Sequence, residues 1–185
     1  VRPNLRTGDE LDIRHYIKVK CITGGAAEDS KYFRGAILAK KIAHKKMADE
    51  IHKPRILLMQ IALEYQRVEN KYSSLETVLL QEEGYLKNMV AKIIALKPTV
   101  VVVGRSVARL AQRYIREAGI TLVLNVKPAA MDYVARCTQG EVLKSINALN
   151  FVSKLGTCDV FRVRKYTDAD GGIQSYVCFE GCAPD

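Results

Sequence analysis

The chain has 185 residues, a formal net charge of +9 and a pI near 9.3, and 48% of its residues are hydrophobic. This apolar share excludes wholesale disorder, and no apolar run reaches the ~20 residues that a membrane span needs. The length suits one domain. Because residue 1 is valine and not methionine, we interpret the chain as a piece cut from a longer protein.

The positive charge favours an acidic partner, although a merely solvated basic surface explains it equally well. Nucleic-acid grooves usually interleave basic and aromatic side chains. Here the basic residues fall in separate segments with few aromatic residues between them, so we predict no nucleic-acid partner. The two main basic groups are Lys40, Lys41, Lys45 and Lys46, and Arg105, Arg109, Arg113 and Arg116.

Hydrophobic periodicity predicts strands in the first third of the chain. Residues 16–22 alternate between apolar and polar side chains, which is typical of a half-buried strand. Two further strands are predicted over residues 32–39 and 55–62. The basic segment 40–47 between them is predicted to be a turn or a single helical turn.

A long helix is predicted next, from a capping box at residues 73–76 to about residue 96. Its apolar side chains recur at intervals of three and four, as expected for one buried stripe. The stripe consists of Leu79, Leu86, Met89, Val90, Ile93 and Ile94.

The stretch 97–125 organises the rest of the chain. Val100–Val103 has no polar alternation, so this strand is predicted to be buried on both faces. An amphipathic helix over residues 106–118 follows, Gly119 ends it, and residues 120–124 form a second apolar strand. The segment therefore predicts a βαβ unit with a parallel pair near the centre of a sheet.

The last third alternates short helices and strands. Pro128 opens a helix that ends near Gln139, with Met131 and Val134 among its apolar positions. Residues 141–149 are predicted to form a strand and a short helix. Strands over 160–166 and 174–180 are predicted to pair around a turn at 168–172.

Catalytic motifs are absent from the sequence. It has no glycine-rich phosphate loop, no kinase residue set and no nucleophile with a partnering histidine. Its five cysteines include no C-x-x-C pair, which favours reduced thiols buried as small hydrophobes over a metal site. We therefore predict a binding or structural module without catalytic residues, cofactor or metal.

Several segments, in order, resemble the apical domain of group II chaperonins. The resemblance covers the chain from about residue 12 to the end. Lys45 stands where those chaperonins usually have proline, and the lid protrusion before Glu82 is shorter. The matching segments are GAILAKKIAHKKM at 35–47, KPRILL at 53–58, QEE at 81–83, LAQRY at 110–114, AGI at 118–120 and FEGC at 179–182.

The chain is more similar still to the chaperonin-like domain of PIKfyve-type phosphatidylinositol-3-phosphate 5-kinases. Lysine at position 45 fits this family. The further shared segments are GDE at 8–10, HYIKVK at 15–20, LVLNVK at 122–127, TQG at 138–140 and LGTC at 155–158.

This resemblance implies an α/β fold of the swivelling β/β/α type, a β-sandwich flanked by helices. The domain would span residues 13–185 after a flexible lead-in at 1–12, and would be truncated at its C-terminus. ATP and Mg²⁺ would belong to the parent kinase and not to this segment. The parent would be peripheral on the cytosolic face of endosomes or vacuoles, assembled with a helical-repeat scaffold protein and a Sac-type phosphoinositide phosphatase.

Two helices are candidates for the partner-binding face, because the matching chaperonin helices face client proteins. The candidates are Arg105, Arg109, Gln112, Arg113 and Arg116 on the first helix and Met131, Asp132 and Arg136 on the second. The lysines of segment 40–46 are candidates for contact with an anionic membrane. The alternative is a genuine chaperonin apical domain, similar to the gamma subunit of the eukaryotic complex, that binds unfolded clients.

Overall fold

The computed structural model describes residues 17–22, 25–32, 34–65, 75–152, 154–167 and 171–182. The lead-in at 1–12, the serines of the capping box and the centre of the 168–172 turn lie outside these ranges. The strands are β1 (Gly35–Leu38), β2 (Glu50–His52), β3 (Arg55–Met59), β4 (Val100–Val103), β5 (Thr121–Val123), β6 (Val142–Leu143), β7 (Gly156–Thr157), β8 (Val160–Thr167) and β9 (Ile173–Glu180). The α-helices are α1 (Leu75–Ala95), α2 (Arg109–Glu117) and α3 (Pro128–Thr138), with 3₁₀ turns at Ala27–Asp29 and Ile146–Phe151.

The strands form two sheets. The first is antiparallel, in the order β1-β9-β8-β2. In the second, β5, β4, β3 and β6 are parallel neighbours in that order, and β7 pairs with β3 in the antiparallel direction.

The parallel strands bury alternate side chains on opposite faces. Leu57 and Val101 pack with apolar residues of α1 and α2, whereas Ile56 and Val100 pack with α3 and the antiparallel sheet. The fold therefore has three layers. Helices α1 and α2 form the first, the parallel sheet is the second, and the antiparallel sheet together with α3 forms the third. This arrangement confirms the expected sandwich of sheets flanked by helices.

The βαβ unit is confirmed, but only its first strand is central. All four residues of β4 are buried between β3 and β5, as their unbroken apolar run requires. β5 lies at the end of the strand order, yet its residues are also buried. Segment 40–47 covers this edge: Ile42 forms an isolated bridge with Val123, and the Ala43 amide donates to the Leu122 carbonyl at 2.8 Å.

One prediction from periodicity was wrong and another was right only in part. Residues 17–22 form no strand, because their apolar side chains have no sheet to cover, and Val19 is 80% exposed. On α1, Leu86 and Ile93 are buried, but Leu79 is 49% and Ile94 is 40% exposed. Leu79 lies two turns before Leu86 on the same stripe, so the turn of α1 that contains Leu79 lies outside the core that the later turns cover.

Candidate interaction surface

Helix α2 presents basic side chains on the face opposite its core contacts. Ala111 and Ile115 are fully buried against the parallel sheet and α1. Arg105, just before the helix, and Arg109 and Arg113 on it are exposed. The 3.6-residue period makes this division within the helix, since Arg109 and Arg113 fall on the opposite side from the buried residues.

Some candidate side chains of α2 have partners within the chain. The Gln112 side-chain amide donates to the Val107 carbonyl at 2.7 Å, which leaves it half-buried. Arg113 donates to Glu117 at 2.8 Å, one turn later, and this hydrogen bond raises the pKa of the guanidinium. Arg105 and Arg109 make no side-chain hydrogen bond or ion pair with another described residue, so they are the most available donors of this group.

The two basic groups meet at one contact. His44 Nε2 lies 3.4 Å from Nη1 of Arg116, at the last turn of α2. The Nδ1 atom of the same ring lies 3.1 Å from the Lys46 amide. A neutral imidazole has only one acceptor nitrogen, so His44 accepts from Arg116 or from Lys46 but not from both. Lys41, Lys45 and Lys46 are exposed beside this contact and Lys40 is half-buried.

Helix α2 is also attached to α1. Tyr114 Oη donates to Glu83 at 2.9 Å, and this hydrogen bond raises the pKa of the tyrosine. Lys87 lies 6.0 Å from the centre of the Tyr114 ring. These contacts fix the orientation of α2 and therefore the positions of the backbone that carries its arginines.

We refer to Arg105, Arg109, Arg113, Arg116 and the lysines of segment 40–46 as the basic surface.

Helix α3 does not extend the basic surface. Met131 is fully buried with Val134 against the antiparallel sheet, so its prediction as a partner-binding residue was wrong. Asp132 and Arg136 are exposed, but α3 covers the opposite face of the parallel sheet from α2. Tyr133 fastens α3 to β1 by donating to the Gly35 carbonyl at 3.1 Å, and burial raises its pKa to about 12.

The described ranges contain neither a cluster of metal ligands nor a membrane-spanning helix. No three side chains of His, Cys, Asp or Glu come together there as metal ligands would. None of the described helices is long and apolar enough to cross a membrane. Sequence reasoning missed the contact between His44 and Arg116, because nothing local to either segment indicates that they meet.

Comparisons with known proteins agree with this fold. A family model described as the TCP-1/cpn60 chaperonin family matches residues 4–184. A group II chaperonin of Methanococcoides burtonii, solved as an open-state monomer, superposes with a TM-score of 0.72 at 20% identity, over 95% of this chain and 38% of that one. At this identity the superposition supports the fold alone.

Two curated relatives are lipid kinases by name. The chain is 42% identical to a putative 1-phosphatidylinositol 3-phosphate 5-kinase of Drosophila melanogaster over 165 residues, or 89% of this chain. It is 39% identical to the human 1-phosphatidylinositol 3-phosphate 5-kinase over 98% of this chain. The match spans 9% of the length of each relative.

Proposed function

Because the chain belongs to the TCP-1/cpn60 chaperonin family, we propose that it is the non-catalytic, protein-binding chaperonin-like domain of a phosphatidylinositol-3-phosphate 5-kinase. The observation that carries this proposal is the 39% identity to the human kinase over 98% of this chain. The parent would form phosphatidylinositol 3,5-bisphosphate from phosphatidylinositol 3-phosphate and ATP. ATP and Mg²⁺ would be bound by its kinase segment.

The domain's role would be to assemble the parent with a helical-repeat scaffold protein and a Sac-type phosphoinositide phosphatase. The basic surface supports this role, because a fixed row of guanidinium groups can pair with carboxylates of an acidic partner. Arg105 and Arg109 are exposed and keep their donors for such a partner. The net charge of +9 favours encounter with an acidic protein.

The parent would work at the cytosolic face of endosomal or vacuolar membranes as a peripheral protein. Lys41, Lys45 and Lys46 are exposed and would add attraction to an anionic lipid surface, at about 1 kcal/mol for each lysine near it. This contact would assist the parent's own membrane binding.

The direct test is capture of the scaffold and the phosphatase by this chain. A triple reversal of Arg105, Arg109 and Arg113 to glutamate should lower capture by about tenfold or more, because each reversed charge repels the acidic partner. A matched control reverses Lys92, Lys127 and Lys165, which are exposed elsewhere, to glutamate. Equal capture by both variants would show that the basic surface does not bind these partners. If the unmodified chain captures neither protein, the proposed partners are wrong.

A second candidate function is the binding of unfolded client proteins. One observation favours it: Leu79, Leu80 and Tyr85 on the first half of α1 are 49%, 71% and 42% exposed. Exposed apolar groups are what an apical domain would offer to a client. In this case the chain should suppress aggregation of a heat-denatured reporter protein, and Leu79→Ser with Leu80→Ser should abolish the effect.

A further inference from the structure

Two cysteines lie beside each other where the β8–β9 hairpin ends, one just before β8 and one just after β9. The β8–β9 register places Val160 opposite Glu180. Beyond this pair, the Asp159 amide donates to the carbonyls of Glu180 at 3.0 Å and Gly181 at 3.3 Å, which holds the segment before β8 beside the end of β9. Cys158 precedes this contact and Cys182 follows it, and a side-chain hydrogen bond joins the two thiols.

Both thiols line one cavity. Its volume is about 690 Å³, and its lining includes Cys158, Cys182, Arg34, Lys53 and Asp159. Each cysteine is 7% exposed, so a small oxidant would reach the pair from this cavity. A disulfide needs two sulfur atoms that face each other, and the hydrogen bond between the thiols already brings these two together.

Gly181 holds Cys182 in this position. Its φ is +68°, in the left-handed region that favours glycine. A side chain at this residue would collide with the carboxylate of Asp159. The Gly181 amide also donates to the Arg34 carbonyl at 2.9 Å. This hydrogen bond ties the turn at Gly181 to the residue that precedes β1.

The two thiols differ in ionisation. A hydrogen bond from Cys158 lowers the pKa of Cys182, and the same hydrogen bond together with burial raises the pKa of Cys158. Cys178, two strand positions before Glu180, is fully buried, and burial raises its pKa to about 11. Because the thiolate is the nucleophile, the lowered pKa favours attack by Cys182, and the raised pKa of Cys178 disfavours reaction there.

We propose that Cys158 and Cys182 form a redox-reactive pair that hydrogen peroxide converts into an intramolecular disulfide. The Cys182 thiolate attacks one peroxide oxygen, the O–O bond breaks, and the products are a sulfenic acid on Cys182 and hydroxide. Cys158 then attacks the Cys182 sulfur, the S–O bond breaks, and the oxygen leaves as water with the thiol's proton. In sum, two thiols lose two electrons and two protons, and one peroxide becomes two waters.

The cross-link would join the segment before β8 to the end of β9. These two segments already share the Asp159 backbone contacts, so the sheet can accept the bond without rearranging its strands. This site is independent of the basic surface and of the proposed assembly role.

The test treats the folded chain with graded hydrogen peroxide and blocks the remaining thiols with N-ethylmaleimide. Digestion combines trypsin with a glutamate-specific protease, which cuts after Glu180 and so separates Cys178 from Cys182. We expect a cross-linked peptide pair that carries Cys158 and Cys182 and has lost two hydrogen atoms. The count of thiols in the denatured protein should fall by two from the original five.

Single variants distinguish the roles of the two cysteines. In Cys158→Ser, peroxide should leave a sulfenic acid on Cys182 that dimedone traps, whereas in Cys182→Ser, dimedone should not label Cys158. Cys137→Ser is the matched control and should form the same disulfide as the unmodified chain. If a variant does not fold, the peptide map of the unmodified chain alone decides whether Cys158 and Cys182 form the disulfide. A disulfide that includes Cys178, or oxidation of exposed Cys21 before any loss at Cys158 and Cys182, would overturn the proposal.

Discussion

Nη1 of Arg116 lies 3.4 Å from Nε2 of His44, although 72 residues separate them in the chain. This contact joins the last turn of α2 to the segment that covers the edge of β5. It therefore combines two basic groups, each recognisable in the sequence, into one surface. The contact between His44 and Arg116 can be tested on the isolated chain, without a partner protein.

A double-mutant cycle of His44→Ala and Arg116→Ala should give a coupling free energy of about 0.5–1 kcal/mol when Nε2 is the acceptor, since a partly exposed hydrogen bond contributes about that much. It should give no favourable coupling when Nδ1 accepts from the Lys46 amide instead, so the cycle decides between the two tautomers. The measurement is urea unfolding of the four proteins. A parallel cycle of His44→Ala with Arg113→Ala should show no coupling, since Arg113 pairs with Glu117 instead. Equal coupling in the two cycles would show that the His44–Arg116 contact contributes nothing.

Leu86→Ala should lower the free energy of unfolding by about 2–4 kcal/mol, because Leu86 is fully buried and its truncation leaves a cavity. Leu80→Ala on the same helix should change it by less than about 0.5 kcal/mol, since Leu80 is 71% exposed. Urea denaturation of both variants measures the difference. Similar losses at the two positions would mean that the first half of α1 is covered in solution.

Glu50 should make stability depend on pH. Arg162 donates to Glu50 at 2.6 Å, and this hydrogen bond holds the pKa of Glu50 below its usual value of 4.5. A lowered folded-state pKa contributes stability above the unfolded pKa, and that contribution is lost as pH falls through the folded value. The melting temperature of the unmodified chain should therefore exceed that of Glu50→Gln at pH 7, and the gap should close on acidification below 4.5. A gap that stays constant with pH would contradict the pairing.

Gly181→Ala should destabilise the chain more than Gly171→Ala. Both glycines have positive φ, +68° and +76°, so alanine strains the backbone at either position by about 1–2 kcal/mol. Only at Gly181 does the added carbon also meet the Asp159 side chain, whereas the space around Gly171 is open. Thermal unfolding of the two variants checks this order. The reverse order would indicate that Asp159 moves aside without cost.

The sequence determined much of the secondary structure because local patterning carries it. The four valines of β4 have no polar alternation, and the structure buries all of them. The spacing of Ala111 and Ile115 set the buried face of α2 and left Arg109 and Arg113 on the other. For Met131 the periodicity was the better guide: its place beside Val134 on an apolar stripe indicated the core, while family resemblance placed it on the partner-binding face.

Only the tertiary structure decided which alternating segment would find a sheet and which separated residues would meet. Residues 17–22 show the same alternation as many strands, yet they form none among the described elements. Cys158 meets Cys182 because the backbone contacts of Asp159 hold the segment before β8 beside the end of β9. His44 reaches Arg116 because segment 40–47 covers β5. Periodicity reports which face of an element is buried, whereas such meetings depend on the packing of elements that the chain brings together from far apart.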